Sequence, residues 1–338
     1  MEIYQYKHPF HLESGTYLPE VEIGYTTFGK LNQDASNVIW ICHALTANSD
    51  PTEWWPGLVG EGKLYDPDRH FIVCANMMGG CYGSTNPTSI DPRTGKHYGR
   101  DFPLLTVRDM VKALQLLRIE LGIHRIRLIT GGSMGGQQSL EWAIMEPNVI
   151  EHLAVIGTNA RHSPWGVAFN EAQRMALSAD PSFHSDVFDA EAGKKGLEAA
   201  RAVAMLSYRN YEAYHRTQME KDEKLDDFRA SSYQRYQGSK LSNRFHAWAY
   251  WVLTKAMDSH DVGRARGGYA RALAGIRARS LIFGIETDFL FPIREQRLLQ
   301  ECIPNATLEV IDSPFGHDGF LIEFDQIEET VRRFLNET

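Results

Sequence analysis

The chain has 338 residues, and its 43% hydrophobic content is enough to build a large core in one big domain or in two smaller ones. Its 35 Lys and Arg residues against 43 Asp and Glu residues leave a net charge of −8 without a long basic run, which disfavours nucleic acid as a partner. No segment approaches the roughly 18 apolar residues of a membrane span, and the N-terminus lacks a signal-peptide pattern, so we expect a soluble, unprocessed protein without a membrane partner.

The strand and helix patterns alternate along the chain. Short β-branched and apolar runs, each bounded by turn residues, predict strands, and several lack the polar alternation of a half-exposed strand. Helical patterns at residues 106–121 and 136–146 separate some of them, which favours a doubly wound, mostly parallel α/β sheet, and the amphipathic residues 319–335 predict a closing helix. The predicted strands are residues 37–42, 70–76, 126–130, 152–158, 280–285 and 307–311.

Strand patterns are missing from the middle of the chain, where residues 190–208 and 246–258 have helical character. This stretch is rich enough in Trp, Tyr, Leu and Met to pack, so a disordered linker is not expected. We predict a helical cap, or lid, at residues 161–277, inserted into a core domain made of residues 1–160 and 278–338.

The cysteines favour a reducing compartment. There are 4 of them, none in a CxxC arrangement, and two lie in apolar runs where a buried free thiol is the ordinary interpretation. Because disulfides are rare in reducing compartments, we expect a cytoplasmic protein. The four residues are Cys42, Cys74, Cys81 and Cys302.

The segment Gly131-Gly132-Ser133-Met134-Gly135 joins a predicted strand to a predicted helix. A serine on a strained strand-to-helix turn needs small neighbours two positions before and after it, because the two backbones pass closely there. The alternative for a glycine-rich turn is a helix cap or an anion site, but strand, turn and helix in this order favour Ser133 as a nucleophile. The Met134 amide is then placed to donate to an oxyanion.

A serine hydroxyl needs a neighbouring base, and after such a turn the partners follow along the chain as an acid and then a histidine. Asp288 follows a predicted strand at the edge where open α/β sheets build their sites, and Glu286 is the second choice. His317 lies in the turn-rich loop one strand further. We predict Asp288 as the orienting acid and His317 as the base, although a carboxylate in such a loop is by itself more often a solvated or capping group.

The second oxyanion donor is expected in the loop after residues 37–42, where the Leu45 amide is the candidate; the alternative is that His43 and Thr46 only cap that loop. A metal site is not predicted. The chain has no HExxH motif, and its adjacent His-Asp pairs, at 260–261 and 317–318, do not suit joint ligation.

With these motifs the sequence resembles the homoserine O-acetyltransferase family of α/β-hydrolase-fold enzymes over nearly its whole length. Several of the matching segments, such as residues 163–177, are segments that other hydrolases of this fold are not expected to share. The segments are CHALT (42–46), NMMGGCYGSTNP (76–87), DFPLLTVRDMV (101–111), GGSMGGQQSLEWA (131–143), SPWGVAFNEAQRMAL (163–177), LSYRN (206–210), YQGSK (236–240), DFLFP (288–292) and GHDGF (316–320).

The resemblance implies an α/β-hydrolase fold with an inserted lid and transfer of an acetyl group from acetyl-CoA to the hydroxyl of L-homoserine, a step toward methionine, through an acyl-serine and ping-pong kinetics. It implies acetyl-CoA as a co-substrate, no permanently bound cofactor, and a homodimer formed through the lid. Arg209 would pair with the substrate carboxylate and Asp318 with its ammonium group. Without the resemblance, Arg209 would be interpreted as an ordinary surface cation.

The chain departs from the family pattern in two places. ALTANSDP (44–51) replaces the more usual glycine-aspartate continuation after ALT, in a loop expected near the donor, and the lid is compact, which bears on acyl choice and subunit pairing. Three alternatives stay open at this point: a serine esterase of the same fold, a homoserine O-succinyltransferase, and a binding module that retains the serine turn without catalysis.

Overall fold

The computed structural model describes residues 1–185 and 188–336 of the chain. Eight strands of the described residues form one sheet, and we number them in chain order. They are β1 (Glu2–Tyr6), β2 (Val21–Phe28), β3 (Val38–Cys42), β4 (Phe71–Ala75), β5 (Ile126–Gly132), β6 (Ile150–Ile156), β7 (Arg279–Ile285) and β8 (Ala306–Ile311). Their order in the sheet is β1-β2-β4-β3-β5-β6-β7-β8; β2 runs antiparallel to β1 and β4, and the other pairs are parallel. The sheet is therefore mostly parallel, as predicted.

The helices of the described residues are numbered in the same way. They are α1 (Pro51–Trp54), α2 (Val107–Glu120), α3 (Met134–Met145), α4 (Pro164–Ser178), α5 (Lys194–Tyr208), α6 (Tyr211–Gln218), α7 (Arg229–Ser242), α8 (Ala247–Asp258), α9 (Tyr269–Leu273), α10 (Ile293–Cys302) and α11 (Phe324–Leu335). Short 3₁₀ turns span Gly99–Asp101, Pro181–His184 and Gly316–Leu321, and two small hairpins pair Phe10–His11 with Tyr17–Leu18 and Ile90–Asp91 with Lys96–His97.

Apolar layers cover both faces of the sheet. All residues of β3 are buried, and because side chains alternate along a strand, Trp40 belongs to one layer while Ile39 and Ile41 belong to the other. In the first layer the ring of Trp40 lies edge-on to that of Trp142 in α3, with centroids 4.8 Å apart. Burial on both faces explains why the central strands have continuous apolar sequences.

Two differences from the predicted elements have physical reasons. The edge strand β1 was not predicted because its residues are mostly exposed and lack an apolar run. The closing helix was predicted from residue 319, but α11 begins at Phe324, and residues 316–321 form a 3₁₀ turn instead. Gly319 lies in that turn, where a Cβ would come within 2.9 Å of the Ser313 side chain, so the loop is packed closely against the sheet before the helix begins.

Helices α4 to α9 all lie between β6 and β7 in the chain, in the segment predicted as a lid. The boundaries of that lid stay a prediction. All four cysteines are free, and Cys42 and Cys74 are buried, as expected. Across residues 1–185 and 188–336, no helix has the length and apolarity needed to cross a membrane.

Glu13 joins three separate segments of the chain. Its carboxylate pairs with Arg108 of α2 at 2.5 Å and with Arg264, beyond α8, at 2.8 Å. Burial alone would raise the pKa of Glu13, but hydrogen bonds from Arg264 and Thr106 and the charge of Arg108 lower it to about 2. The folded-state pKa is therefore below the unfolded value, so this contribution to stability is present above the unfolded pKa and is lost as the pH falls through the folded one.

We therefore expect Glu13→Gln to lower the melting temperature by a few degrees at about pH 7, where the wild-type carboxylate is charged in both the folded and the unfolded state. At about pH 3 the difference in melting temperature between the two proteins should shrink. At that pH the Glu13 carboxylate of the unfolded chain binds a proton, whereas the carboxylate of the folded protein binds it only weakly. Thermal denaturation of both proteins across this pH range measures the effect. An equal difference at every pH would show that packing, rather than charge, makes the contribution.

Candidate active site

Ser133 lies on the tight turn between β5 and α3. Its backbone has φ 56° and ψ −125°, which is strained for a residue with a side chain. A Cβ on Gly135 would lie 2.0 Å from the carbonyl oxygen of Cys42, and one on Gly131 would lie 2.7 Å from the same oxygen. Both glycines are therefore required by the close approach of β3, in agreement with the steric interpretation of the sequence.

The end of β6 anchors this strained turn. The amide of Ser133 donates to the carbonyl of Ile156 at 2.9 Å, and the carbonyl of Ser133 accepts a hydrogen bond from the Thr158 hydroxyl at 2.9 Å. Hydrogen bonds thus hold both the amide and the carbonyl of Ser133 in place. Such support from the surrounding structure allows an unfavourable backbone conformation to persist in a folded protein.

Asp288 and His317 form a buried pair. Nδ1–H of His317 donates to Oδ2 of Asp288 at 2.6 Å, and each residue is 3% exposed. The other carboxylate oxygen, Oδ1, accepts hydrogen bonds from the amides of Leu290 and Phe291, both at 2.9 Å, so the carboxylate cannot rotate freely. Glu286 instead pairs with Arg297 at the surface, at 3.2 Å. The structure therefore places Asp288, and not Glu286, against the histidine.

Aromatic rings surround the imidazole of His317. Phe291 stacks on it with centroids 5.0 Å apart, Phe320 meets it edge-on at 5.3 Å, and Tyr208 lies 5.9 Å away. Within the described chain, Nε2 of this ring is buried and has no hydrogen-bond partner, the Ser133 hydroxyl included. Nε2 is thus the nitrogen available to take a proton, and catalytic hydrogen bonds of this kind often tighten only when a substrate binds.

Gly157 brings the serine turn and the acid–base pair together. It lies between Ile156 and Thr158, which hold Ser133, and it adopts φ +53°. A Cβ at this position would lie 3.3 Å from Nδ1 of His317 and 3.4 Å from Oδ2 of Asp288. Ser133, Asp288 and His317 therefore converge around one residue at the carboxyl end of β6.

Gly157→Ala is expected to lower kcat about tenfold or more, because the added methyl group presses on the His317–Asp288 hydrogen bond as well as straining the backbone. Gly122→Ala is the matched control, since Gly122 has φ +68° and open space where its Cβ would be. Steady-state kinetics and melting temperatures of both variants distinguish two effects: the contact of the new methyl group with the His317–Asp288 pair, and the backbone strain that both substitutions introduce. Equal loss of activity in the two variants would mean that Gly157 has no special effect on the pair.

The loop after β3 lies against the start of α3, where the two predicted oxyanion donors are found. Met134 is the first residue of α3, so its amide has no partner inside the helix. Leu45 is 6% exposed, and in the part of the chain that the structure describes no turn or loop hydrogen bond uses its amide. Burial raises the pKa of the nearby Cys42 thiol to about 12, so this sulfur stays protonated and does not compete as a nucleophile.

Arg209 and Asp318 lie beside the histidine and bind each other. Arg209 follows the last residue of α5, and its Nε donates to Oδ2 of Asp318 at 3.0 Å. The two side chains are 21% and 17% exposed, which leaves them reachable. The guanidinium lies 5.4 Å above the ring of Tyr233, which in turn meets Tyr214 edge-on. The hydroxyl oxygens of both tyrosines are buried and have no partner among the described residues.

These tyrosines were not found from the sequence. Tyr214 lies in α6 and Tyr233 in α7, and neither belongs to a motif that the chemistry requires. The available signal was indirect: the LSYRN and YQGSK segments of the family resemblance lie shortly before Tyr214 and shortly after Tyr233.

A half-buried carboxyl also lies near Asp288. Glu295, in α10, accepts a hydrogen bond from Nδ2 of Asn159 at 3.0 Å. Burial is the main cause that raises its pKa to about 7, and the charge of Asp288 acts in the same direction. Glu295 is therefore largely uncharged below about pH 7, which limits the negative charge that accumulates beside the His317–Asp288 pair.

The sequence of the chain is similar to those of known proteins. Residues 37–324 match the family model described as the alpha/beta hydrolase fold. The homoserine O-acetyltransferase of Cyclobacterium marinum is 49% identical over 333 residues, which cover 98% of this chain and 94% of that protein. The chain belongs to the homoserine O-acetyltransferase family.

Solved structures of both transferases and hydrolases have folds similar to that of this chain. The homoserine O-acetyltransferase from Bacillus anthracis has a TM-score of 0.92 at 25% identity, covering 100% of this chain and 97% of that one. An acetylester hydrolase from Corynebacterium glutamicum has a TM-score of 0.88 at 25% identity, covering 99% and 96%. Members of the homoserine O-acetyltransferase family thus share this fold with ester hydrolases, so the fold alone does not determine the acceptor.

Proposed function

We propose that the protein transfers an acetyl group from acetyl-CoA to the side-chain hydroxyl of L-homoserine, through an acetyl-Ser133 intermediate and with ping-pong kinetics. The observation that carries the proposal is 49% identity, over nearly the whole chain, to a homoserine O-acetyltransferase. The buried His317–Asp288 pair beside the strained Ser133 supports the chemistry.

In the first half-reaction, Nε2 of His317 takes the proton of the Ser133 hydroxyl while the serine oxygen attacks the thioester carbonyl carbon. The amides of Leu45 and Met134 stabilise the resulting oxyanion. When the tetrahedral intermediate collapses, the carbon–sulfur bond breaks and His317 returns the proton to the leaving thiolate. Asp288 holds the imidazole in the required tautomer and stabilises its protonated form.

In the second half-reaction, the same imidazole takes the proton of the homoserine hydroxyl while the homoserine oxygen attacks the acetyl-serine carbonyl carbon. When this tetrahedral intermediate collapses, the bond between that carbon and the Ser133 oxygen breaks, and His317 returns the proton to the serine oxygen. Arg209 binds the carboxylate of homoserine and Asp318 binds its ammonium group. The 3.0 Å pair between these two side chains supports this assignment, because a zwitterion presents the opposite charge to each of them and replaces one ion pair with two. The buried hydroxyls of Tyr214 and Tyr233 offer further polar contacts next to the guanidinium.

Hydrolysis of the acetyl-serine is the competing reaction, and the likeness to an acetylester hydrolase is the observation that favours it. The aromatic rings around His317 oppose it, because they limit the access of water to the base. A bound homoserine held at both of its charged groups adds the positioning that water lacks. Transfer is therefore the better-supported outcome.

A thiol-release assay tests the proposal. The enzyme is mixed with acetyl-CoA and DTNB, with and without homoserine, and free thiol is followed over time. Release that depends on homoserine is the expected result. Continuous release without homoserine would identify a hydrolase, and release from succinyl-CoA in preference to acetyl-CoA, in a competition experiment, would identify a succinyltransferase.

Asp318→Asn is expected to raise the KM for homoserine about 10–100-fold, because it removes the partner of the substrate ammonium group. The rate of Ser133 acetylation by acetyl-CoA should change little, since homoserine does not take part in that step. Both values come from steady-state and single-turnover kinetics on one preparation. Asp312→Asn, at an exposed position in the same chain segment, is the control, and a slowed acetylation step in Asp318→Asn would contradict the assigned role.

We further propose that residues 161–277 form a lid inserted into a core of residues 1–160 and 278–338, and that two copies of the chain pair through this lid. Large apolar side chains exposed on the lid helices support the pairing, among them Leu206 (53% exposed), Tyr211 (76%) and Tyr236 (59%). Acetyl-CoA acts as a co-substrate without a permanently bound cofactor, and the cytoplasm is the proposed compartment. Light scattering of the purified chain gives its mass in solution and tests the dimer.

A further inference from the structure

His43 is a buried histidine that the proposed mechanism does not use. It directly follows β3 and is 3% exposed. Its Nδ1 lies 2.8 Å from the carbonyl oxygen of Ala44, and its Nε2 lies 3.2 Å from the amide nitrogen of Met77. The imidazole thus bridges the loop after β3 and the loop after β4, which are neighbouring parallel strands.

These two partners fix the position of the single proton on the ring. The Met77 amide can only donate, so Nε2 must be the unprotonated nitrogen that accepts. The Ala44 carbonyl can only accept, so Nδ1 must carry the hydrogen. Burial lowers the pKa of His43 to about 4, so the ring stays neutral and keeps this tautomer at neutral pH.

The Ala44 carbonyl belongs to the same peptide group as the Leu45 amide. In a planar trans peptide the carbonyl and the N–H point in opposite directions, and the described residues contain no cis peptide bond. The Ala44 oxygen accepts from Nδ1 of His43 and also from the Ala47 amide, at 3.0 Å. Two donors on the carbonyl side therefore hold the Leu45 N–H toward the opposite side.

That opposite side matters because this loop lies against the serine turn. A Cβ on Gly135 would lie 2.0 Å from the Cys42 oxygen and 3.0 Å from the His43 oxygen, so the chain leading to Ala44 runs beside the first turn of α3. A hydrogen bond donated to a peptide carbonyl also polarises the peptide group, which makes its N–H a stronger donor.

We propose that His43 is a positioning residue: its neutral imidazole orients the Ala44–Leu45 peptide so that the Leu45 amide donates to the oxyanion formed at Ser133. The inference rests on the proposed function, because it takes Leu45 as an oxyanion donor. His43 itself touches neither the acetyl group nor the serine, and it acts only through the peptide that it holds.

Three substitutions of His43 separate its two hydrogen bonds. In His43→Asn, the side-chain amide nitrogen takes the place of Nδ1 and retains the donor to Ala44. In His43→Gln, the side-chain oxygen takes the place of Nε2 and retains the acceptor for Met77. His43→Phe retains the ring shape and loses both bonds. If the Asn and Gln variants fold, they test the inference even where the Phe variant does not.

The rate of acetyl-Ser133 formation from acetyl-CoA is expected to fall about 10–100-fold in His43→Gln and His43→Phe, and only a few-fold in His43→Asn. A methyl trifluoromethyl ketone forms a serine adduct that carries an oxyanion. In each variant its inhibition constant should rise by the same factor by which the acetylation rate falls. The KM for homoserine and the melting temperature should not rank the three variants in the order of their acetylation rates. A general structural role for His43 would instead change the melting temperature in that order.

Full activity in His43→Gln with loss in His43→Asn would overturn the inference, because the Met77 bond would then be the important one. Rates that change while the affinity for the ketone stays constant would overturn it as well. A wild-type enzyme that forms no acetyl-Ser133 at all would instead remove the proposed function, whereas normal acetylation in the wild type and in all three variants would contradict only the role of His43.

Discussion

Ser133→Ala is expected to lower kcat about 10⁵-fold or more, because no other group in the site replaces the nucleophile that carries the acetyl group. The fold should be unchanged. Alanine has the same backbone strain as serine at φ 56°, and the hydrogen bonds that anchor the turn, to Ile156 and from Thr158, involve only the main chain of residue 133. Stopped-flow and endpoint thiol release measure the loss, and circular dichroism checks the fold.

Ser139→Ala is the matched control for this substitution. Ser139 is a buried serine of α3, the helix that follows Ser133, and its hydroxyl donates to the carbonyl of Gly135 at 2.9 Å, in the first turn of that helix. Loss of the Ser139 hydroxyl should lower the melting temperature but leave kcat nearly unchanged. If Ser133→Ala retained turnover within about tenfold of the wild type, a covalent acetyl-serine could not be the route, and direct transfer between the two substrates would have to replace it.

Asp288→Asn is expected to lower kcat about 10⁴-fold with little change in structure. The asparagine oxygen can still accept from the amides of Leu290 and Phe291, so the side chain stays in place. Its nitrogen, however, faces Nδ1 of His317 as a donor, which forces the imidazole proton onto Nε2 and removes the base next to Ser133. The same kinetics, with acetyl-CoA and homoserine at saturation, measure the effect.

Glu286→Gln is the matched control, since Glu286 lies two residues away and is held by Arg297 at the surface instead of by the histidine. Its activity should stay within about twofold of the wild type. Comparable losses in the two variants would show that the loop as a whole, and not the Asp288 carboxylate, supports the reaction.

Much of the fold was predictable because the parallel strands and the serine turn impose strong local constraints on the sequence. Burial on both faces requires continuous apolar residues, so β3 to β7 were predicted from their composition within a few residues. The edge strand β8 is largely half-buried or exposed, and it was predicted from its β-branched and apolar residues. Gly131 and Gly135 were predicted as glycines required by a close backbone contact, and the structure shows that contact at the Cys42 carbonyl. Chain order, together with the loops that follow two predicted strands, then indicated Asp288 and His317 for the other two positions.

The remaining features depend on contacts between distant parts of the chain. The family resemblance implied that Arg209 and Asp318 bind the two charged ends of a substrate, but nothing in the sequence indicated that they pair with each other at 3.0 Å. Tyr214 and Tyr233 come from α6 and α7, which contain no motif around them that the chemistry requires. Their hydroxyls, which have no partner among the described residues, are visible only in three dimensions. His43 was weighed only as a loop cap, and its bond to Met77 shows that it connects two loops.

The site combines a strained nucleophile with a rigid support. Ser133 has an unfavourable backbone conformation that β3, β6 and α3 together maintain, with Gly157 directly after β6 and Met134 as the first residue of α3. Because the sheet fixes the main chain, the oxyanion donors and the acid–base pair need little rearrangement when a substrate binds. In the proposed function, homoserine binds at Arg209 and Asp318, where the end of α5, in the segment predicted as a lid, meets the loop that carries His317.

The most direct test is mass spectrometry of the enzyme after brief mixing with acetyl-CoA. We expect the protein to gain the mass of one acetyl group and peptide mapping to place that group on Ser133. Homoserine, far more than water, should remove it with formation of O-acetylhomoserine. An unmodified Ser133 during active turnover, or an acetyl group on another residue that homoserine discharges at the turnover rate, would contradict the proposed acetyl-Ser133 intermediate.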